Sequence, residues 1–172
     1  MSGSMDTFSN WAESGHAYAQ EWKRKTGGKV LGYFCTYAPE DILYAADILP
    51  VRIFAGHESD ISIVEPHIFG MYCPFCRGCL SQGLKGRYDY LDGIMLSQAC
   101  LHLRQVFASW RKHLPVEYNY YLYMPHGVQV KGRYEYMRGQ LQEFKESLER
   151  WTGKEITDAD LDRGIDPESM KA

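Results

Sequence analysis

Residues 71–80, MYCPFCRGCL, contain three of the five cysteines in the chain. Cys73, Cys76 and Cys79 recur at every third position. Cysteines spaced in this way can hold a metal, form disulfides, carry out redox chemistry or pack as small apolar residues. The rest of the sequence must distinguish between these four functions.

The cysteine spacing alone leaves three alternatives open: an iron–sulfur site, a zinc site, or inert thiols. The run resembles the first part of a ferredoxin motif, but it lacks the fourth cysteine and the proline that follows it there. If residues 74–86 form a helix, the three cysteines lie roughly on one face. Joint ligation of one ion by all three is then geometrically possible but awkward.

Composition predicts one soluble domain. The chain has 172 residues, of which 45% are apolar and 24% charged, values that are ordinary for a globular protein. The net charge of −3 and the pI near 6.1 show no basic footprint, so we expect no nucleic-acid partner.

The start MSGSMDTF has no signal-peptide pattern, and no window is apolar enough to span a bilayer. We therefore expect no membrane partner and a cytoplasmic location, where five cysteines argue against a disulfide framework.

Predicted helices and strands alternate along the chain. A first helix at 8–25 should turn one apolar side to the core: Phe8, Trp11, Ala12, Tyr18, Ala19 and Trp22. Further helices are predicted at 39–49, 74–86, 101–114 and 134–151, and strands at 29–35, 50–56, 90–100 and 117–125. Thr157 with Asp160 predicts the cap of one more helix. This alternation indicates an α/β fold with a mainly parallel sheet and helices on both faces.

Three cysteines are expected at one edge of that sheet. Cys35 and Cys100 end predicted strands, and Cys73 immediately precedes a predicted helix. In open α/β sheets, ligands bind outside the carboxyl ends of the strands. The glycine patterns of dinucleotide-binding folds and of P-loops are both missing, so we expect no ATP binding by this chain.

Two long segments of the chain strongly resemble the benzoyl-CoA reductase and 2-hydroxyacyl-CoA dehydratase family. They read GYFCTYAPEDILYAADILPVRIFAG and CPFCRGCLSQGLKGRYDYLDGIMLSQACLHLRQ. The resemblance runs from Lys29 to Ile165. It includes a proline–acid helix after the first strand, a cysteine before a small-residue helix, and a G-x-Y-x-x-LDG strand closed by a cysteine. It implies a flavodoxin- or Rossmann-like three-layer α/β fold with an N-terminal helix.

The family resemblance also implies the site. Subunits of this family typically hold a [4Fe-4S] cluster by three cysteines, and two of those positions match Cys73 and Cys100. The third ligand lies in a second α/β domain, which would follow Ala172. Cys76 and Cys79 are further candidate metal ligands, at positions where many members have other residues. No catalytic residue is identified.

We accordingly divide the chain into three parts: an N-terminal helical segment (1–28), a cluster-binding α/β domain (29–153), and the start of a further helix (154–172) that is cut short. The resemblance implies the N-terminal part of an oxidoreductase subunit that passes low-potential electrons to an aromatic acyl-CoA thioester. The implied partners are a homologous second subunit and a separate ATP-hydrolysing iron–sulfur activator.

Three alternatives to the reductase remain. The first alternative is an (R)-2-hydroxyacyl-CoA dehydratase subunit. The dehydratases commonly have Cys-Asp where this chain has Cys100-Leu101, and this difference, together with the LDG strand, favours the reductase. A zinc-binding, non-catalytic α/β interaction domain that uses Cys73, Cys76 and Cys79 is the second. A relic that keeps the fold without activity is the third.

Other residues that could bind a ligand have simpler structural roles. Arg77, Lys85 and Arg87 could attract the phosphates of coenzyme A, but a solvated basic face is the expected role. We expect packing, hydrogen bonding or solvent exposure, and no ligand, for Cys35, Tyr118, Tyr120, Tyr121, Tyr123, His67, His102, His113 and His126.

Overall fold

A computed structural model describes residues 2–56, 61–125, 127 and 129–165, with side chains from residue 14 onward. Within these residues helices and strands alternate, as predicted. The helices are α1 (Ser2–Thr26), α2 (Glu40–Ala45), α3 (Pro74–Leu84), α4 (Leu101–His113), α5 (Arg133–Thr152) and α6 (Asp158–Ile165). The strands are β1 (Val30–Tyr33), β2 (Leu49–Arg52), β3 (Gly93–Ser97) and β4 (Tyr118–Leu122), and a short 3-10 helix spans Ser62–Val64.

The four described strands form one sheet in the order β2-β1-β3-β4, and every neighbouring pair is parallel. Residues of α1, α3 and α4 pack on one face of this sheet. Residues of α2, α5 and α6 pack on the other. The predicted three-layer α/β fold with a parallel sheet and an N-terminal helix is confirmed.

The central strands are buried on both faces. Successive side chains of β3 alternate between the two cores: Ile94 and Leu96 pack with α3 and α4, whereas Met95 packs with Phe144 and Leu148 of α5. Strands covered on both sides read as continuous apolar runs. This explains the unbroken run of apolar residues along β3.

Some predicted boundaries were wrong. The helix expected at 39–49 ends at Ala45, because Asp47 adopts a left-handed backbone conformation with φ of 54°. The chain then enters β2 at Leu49, so the strand predicted at 50–56 begins earlier and ends at Arg52. Pro50 is tolerated within it because β2 is an edge strand, where a missing N–H costs no sheet hydrogen bond.

The predicted apolar side of α1 is only partly correct. Ala19 is buried and Trp22 packs against the core, but Tyr18 is 55% exposed. Phe8, Trp11 and Ala12 lie outside the residues whose side chains are described. The helix is linked to the turn before β3 by His16, whose Nδ1 lies 2.9 Å from the Tyr90 hydroxyl.

The C-terminal helix α6 packs against α2. Its cap is the predicted one: the Asp160 N–H donates to Thr157 Oγ1, and the Thr157 hydroxyl and N–H donate to the Asp160 carboxylate. A Cβ at Gly164 would lie 2.3 Å from the Asp41 carbonyl oxygen. Only glycine therefore permits this approach. No helix in the described part of the chain is long and apolar enough to cross a membrane.

Candidate functional site

The strand order creates a crevice between β1 and β3. From β1 the chain crosses to β2 on one side, and from β3 it crosses to β4 on the other. Such switch points at the carboxyl ends of parallel strands are where ligands bind in open α/β sheets. Cys35 follows β1 and Cys100 follows β3, so both lie beside this crevice, as the sequence predicted.

Cys73 is the N-cap residue of α3, and Pro74 occupies the first helical position. The Cys73 backbone N–H donates to Nδ1 of His102, 2.9 Å away. Hydrogen bonds from the N–H of Cys76, the N–H of Phe75 and the Cys76 thiol lower the pKa of the Cys73 thiol, against a smaller opposing effect of burial. Helix N-termini favour negative charge, so this partly exposed thiol is well placed to act as a thiolate.

Cys100 has the same position on the neighbouring helix. It is the N-cap residue of α4, and its Sγ accepts a hydrogen bond from the Leu103 N–H at 3.4 Å. The side chain is exposed. Since α3 and α4 pack side by side, two thiols from distant parts of the sequence each cap one of two adjacent helices.

Cys76 and Cys79 are buried in the first turns of α3. Burial raises the pKa of the Cys76 thiol, and negative charge on Cys73 and Cys100 raises it further. Burial also raises the pKa of Cys79 to about 12, and its Sγ lies 3.9 Å from the Ile53 carbonyl oxygen. As ligands these two thiols would have to lose protons that their surroundings retain.

The loops around the crevice are tied together by hydrogen bonds. The Ser97 hydroxyl at the end of β3 donates to the Tyr37 carbonyl oxygen at 2.9 Å, which links the loops after β3 and β1. The Gln98 side-chain oxygen accepts from the Met124 N–H at 3.4 Å, which links the loop after β4. The edge that carries the cysteines is thus held in one arrangement.

Large apolar side chains are exposed in the segments that carry the thiols. Met71 is 85% exposed, Leu101 61% and Tyr37 59%. Tyr37 lies two residues after Cys35, Met71 two residues before Cys73, and Leu101 directly after Cys100. We refer to Tyr37, Met71 and Leu101 as the apolar rim.

The thiol chemistry fits a cluster in part. Cluster iron is held by thiolates, and Cys73 and Cys100 are thiols at helix N-termini that support negative charge. They would account for two of the four ligands that a [4Fe-4S] cluster usually has. Within residues 2–56, 61–125, 127 and 129–165, no group of three or more His, Cys, Asp or Glu side chains is arranged to hold a metal ion. The zinc alternative therefore draws no support from the arrangement of Cys73, Cys76 and Cys79.

The remaining predicted residues have structural surroundings. Tyr118 stacks on Trp151 with ring centroids 4.3 Å apart, and Tyr120 packs on Phe144 at 4.8 Å, which confirms packing for these tyrosines. Lys85 and Arg87 are exposed. Arg77 is different, since it is mostly buried, lies 4.0 Å from the Glu65 carboxylate, and has a buried Nε without a partner.

Sequence reasoning missed the role of one histidine. His102 was expected only to be hydrogen bonded or exposed, yet it contacts the backbone of Cys73 and packs edge-on against Tyr72 at 5.0 Å. Its position two residues after Cys100 was the available signal. His67 and His113 contact each other at 4.4 Å, and His126 lies outside the described residues.

Comparison with known proteins gives consistent matches. Residues 35–169 match the model of the family described as 2-hydroxyglutaryl-CoA dehydratase, D-component. A benzoyl-CoA reductase subunit of Thauera aromatica is 29% identical over 150 residues, which cover 86% of this chain and 39% of that protein. The (R)-phenyllactyl-CoA dehydratase beta subunit of Clostridium sporogenes is 26% identical over 165 residues, 92% of this chain and 42% of that protein.

A third relative is the (R)-2-hydroxyglutaryl-CoA dehydratase subunit beta of Acidaminococcus fermentans, 28% identical over 141 residues, 79% of this chain and 36% of that protein. The chain thus spans about two fifths of the length of these curated relatives. The relatives are named as subunits of acyl-CoA reductases or dehydratases. Since the family match covers most of the sequence, the chain belongs to the 2-hydroxyglutaryl-CoA dehydratase D-component family.

Proposed function

We propose that this chain is part of a subunit of an iron–sulfur acyl-CoA enzyme of the benzoyl-CoA reductase type. In this proposal Cys73 and Cys100 provide two thiolate ligands of a [4Fe-4S] cluster, and a homologous second subunit and an ATP-hydrolysing iron–sulfur activator are partners. The observation that supports it most is the placement of these two thiols, which cap adjacent helices beside the switch-point crevice.

When bound, the cluster would supply low-potential single electrons to an aromatic acyl-CoA thioester. The residues of this chain position and tune the site. The N-termini of α3 and α4 stabilise negative charge on Cys73 and Cys100. The Leu103 N–H already donates to the Cys100 sulfur, and hydrogen bonds to ligand sulfurs set the reduction potential of such clusters. The apolar rim would exclude water from the thioester.

His102 has a positioning role in this proposal. Its Nδ1 accepts from the Cys73 N–H, so the neutral ring carries its proton on Nε2. His102 belongs to the first turn of α4, the helix that Cys100 caps, and lies two residues after Cys100. It therefore joins the two ligand segments, and fixes the Cys73 backbone relative to the helix that Cys100 caps.

The reductase branch is favoured over dehydration by the residue after Cys100. The dehydratases commonly have an aspartate there, whereas this chain has the apolar Leu101, which is largely exposed. A dehydratase subunit remains the second candidate, because dehydratase beta subunits match this chain at 26% and 28% identity. Incubation of the assembled enzyme with benzoyl-CoA and with a 2-hydroxyacyl-CoA separates the two. Ring reduction supports the first, and an enoyl-CoA product supports the second.

Anaerobic purification and reconstitution with iron and sulfide test the proposal as a whole. We expect a brown protein with the broad visible absorption of sulfur-to-iron charge transfer. That absorption should be lost in Cys73→Ala and Cys100→Ala, and retained in Cys35→Ala, a matched variant at the end of the neighbouring strand. A colourless protein that retains zinc would contradict the proposal.

A further inference from the structure

We propose that Cys73 and Cys76 form a reversible disulfide, so that the segment Cys73-Pro74-Phe75-Cys76 is a site of thiol–disulfide exchange. The Cys73–Cys76 disulfide follows from the geometry of α3. Its consequence for cofactor loading rests on the proposed function.

The start of α3 brings the two thiols together. Cys73 is the N-cap and Cys76 lies in the first turn, so the chain returns the second side chain to the first. Both cysteines are free, and they lie three positions apart along the first turn of the helix. A Cys-x-x-Cys pair at a helix N-terminus is an arrangement in which a disulfide forms readily.

The two thiols differ in access. Cys73 is partly exposed and can meet a disulfide from solution, whereas Cys76 is buried and reaches only its neighbours. This division suits a two-step exchange, in which an accessible thiol attacks first and a shielded one resolves the product. The buried thiol does not need to meet the oxidant.

The exchange balances with a low-molecular-weight disulfide such as oxidised glutathione as the oxidant. The Cys73 thiolate attacks one sulfur, the S–S bond of the reagent breaks, and one glutathione thiolate leaves. The Cys76 sulfur then attacks Cys73 Sγ and expels the second glutathione, which takes up the Cys76 proton as it leaves. Two protein thiols are oxidised by two electrons, and the reagent is reduced to two thiols that take up the two protons.

Contacts of the other thiols favour Cys76 as the partner of Cys73. Cys100 is the N-cap residue of the next helix, and its sulfur accepts a hydrogen bond from the Leu103 N–H there. Cys79 is buried one turn further along α3, near the Ile53 carbonyl oxygen. Cys76 instead lies in the first turn of the helix that Cys73 caps, three residues further along the chain.

Under the proposed function this pair controls the loading of the cofactor. A sulfur held in a disulfide has no thiolate to offer a metal. The oxidised chain would therefore accept iron only after Cys73 is reduced. The oxidised pair would also protect Cys73 from irreversible oxidation to a sulfinic acid.

Peptide mapping of the metal-free chain tests the pair directly. The chain is equilibrated in anaerobic glutathione buffers of increasing oxidised fraction, quenched with acid, alkylated and cleaved with trypsin. Cleavage after Arg52 and Arg77 leaves Cys73 and Cys76 on one peptide, and puts Cys79 and Cys100 on others. A Cys73–Cys76 disulfide then gives a single peptide that is two hydrogens lighter, whereas a Cys73–Cys100 disulfide joins two peptides.

We expect the lighter single peptide from the unchanged chain and from Cys79→Ala, a buried control on the same helix. Cys76→Ala should instead retain glutathione on Cys73. A main product in which the Cys73 and Cys100 peptides are joined, or glutathione retained by the unchanged chain, would contradict the Cys73–Cys76 disulfide. Iron uptake provides a separate measurement: oxidised chain should bind ~tenfold less iron than reduced chain, and the same difference is expected in Cys79→Ala. If reduced chain binds no iron either, the proposed function fails while the mapped disulfide stands.

Discussion

At the amino ends of the strands, which we call the amino edge of the sheet, charged side chains are paired. At the carboxyl ends, the carboxyl edge, thiols and large apolar side chains are exposed. The Asp92 carboxylate, just before β3, accepts from the Val30 N–H at 2.8 Å and from the Lys23 ammonium at 2.9 Å. At the opposite edge Cys100 and the apolar rim face solvent. The amino edge stabilises the fold, whereas the carboxyl edge carries the residues of the proposed site. Substitutions at the two edges should therefore differ in their effect on the free energy of unfolding.

The largest loss of stability is expected at the amino edge. Asp92 is 14% exposed at its side chain, and Asp92→Ala would leave the buried Val30 N–H without its acceptor and the Lys23 ammonium with only the Tyr90 carbonyl oxygen. We expect the free energy of unfolding to fall by about 3 kcal/mol. Equilibrium denaturation in urea measures this. Glu117→Gln, which weakens only the exposed pair with Lys29, is the control, and an equal effect of both substitutions would contradict the account.

A smaller loss is expected where α6 supports α2, the helix that begins at the carboxyl edge. Gly164→Ala would place a Cβ against the Asp41 carbonyl oxygen and force the helices apart, at a cost of about 2 kcal/mol. Gly139→Ala is the matched variant, because this helical glycine has nothing within 4 Å of a new Cβ. It should stabilise the chain by ~0.5 kcal/mol. Thermal unfolding of both variants checks the contrast, and a stabilising Gly164→Ala would refute the close approach.

His102 should affect stability less and the site more. His102→Leu removes the acceptor of the Cys73 N–H, for which we expect a loss of about 1 kcal/mol. His102→Gln offers a new side-chain acceptor and should restore part of it. The rate at which iodoacetamide alkylates Cys73 should change in His102→Leu and recover in His102→Gln. Unchanged alkylation in both variants would show that His102 does not position Cys73.

The smallest effect is expected at the apolar rim. Met71→Ser changes a side chain that faces solvent, so its effect on the free energy of unfolding should stay within ~0.5 kcal/mol. The same urea titration that is used for Asp92→Ala measures it. A loss comparable to that of Asp92→Ala would mean that the carboxyl edge is part of the stabilising core, and the contrast between the edges would fail.

The sequence predicted the fold well because helical and strand periodicities are local. The run at β3 and the spacing in α5 identified those elements directly. The end of α2 was missed, because Ala46 and Ile48 continue the helical spacing of apolar residues through a turn that depends on the left-handed backbone of Asp47. Strand ends were overestimated for a similar reason, since apolar residues continue beyond the last paired position.

The candidate site was only partly predictable. The positions of Cys73 and Cys100 at helix starts followed from Pro74 and from the end of β3. The hydrogen bond between the Cys73 N–H and His102 did not, because it depends on how the loop after the 3-10 helix approaches α4. The burial of Cys79 also required the packing of α3 on the sheet. Such contacts join residues far apart in sequence and leave no local pattern.

Iron and acid-labile sulfide contents after anaerobic reconstitution decide whether Cys73 and Cys100 hold a cluster. The unchanged chain and Cys35→Ala should bind iron and sulfide in equal amounts. Cys73→Ala and Cys100→Ala should each lose most of both while remaining folded. Equal iron and sulfide contents in all four proteins, or none in the unchanged chain, would contradict cluster ligation by these two thiols.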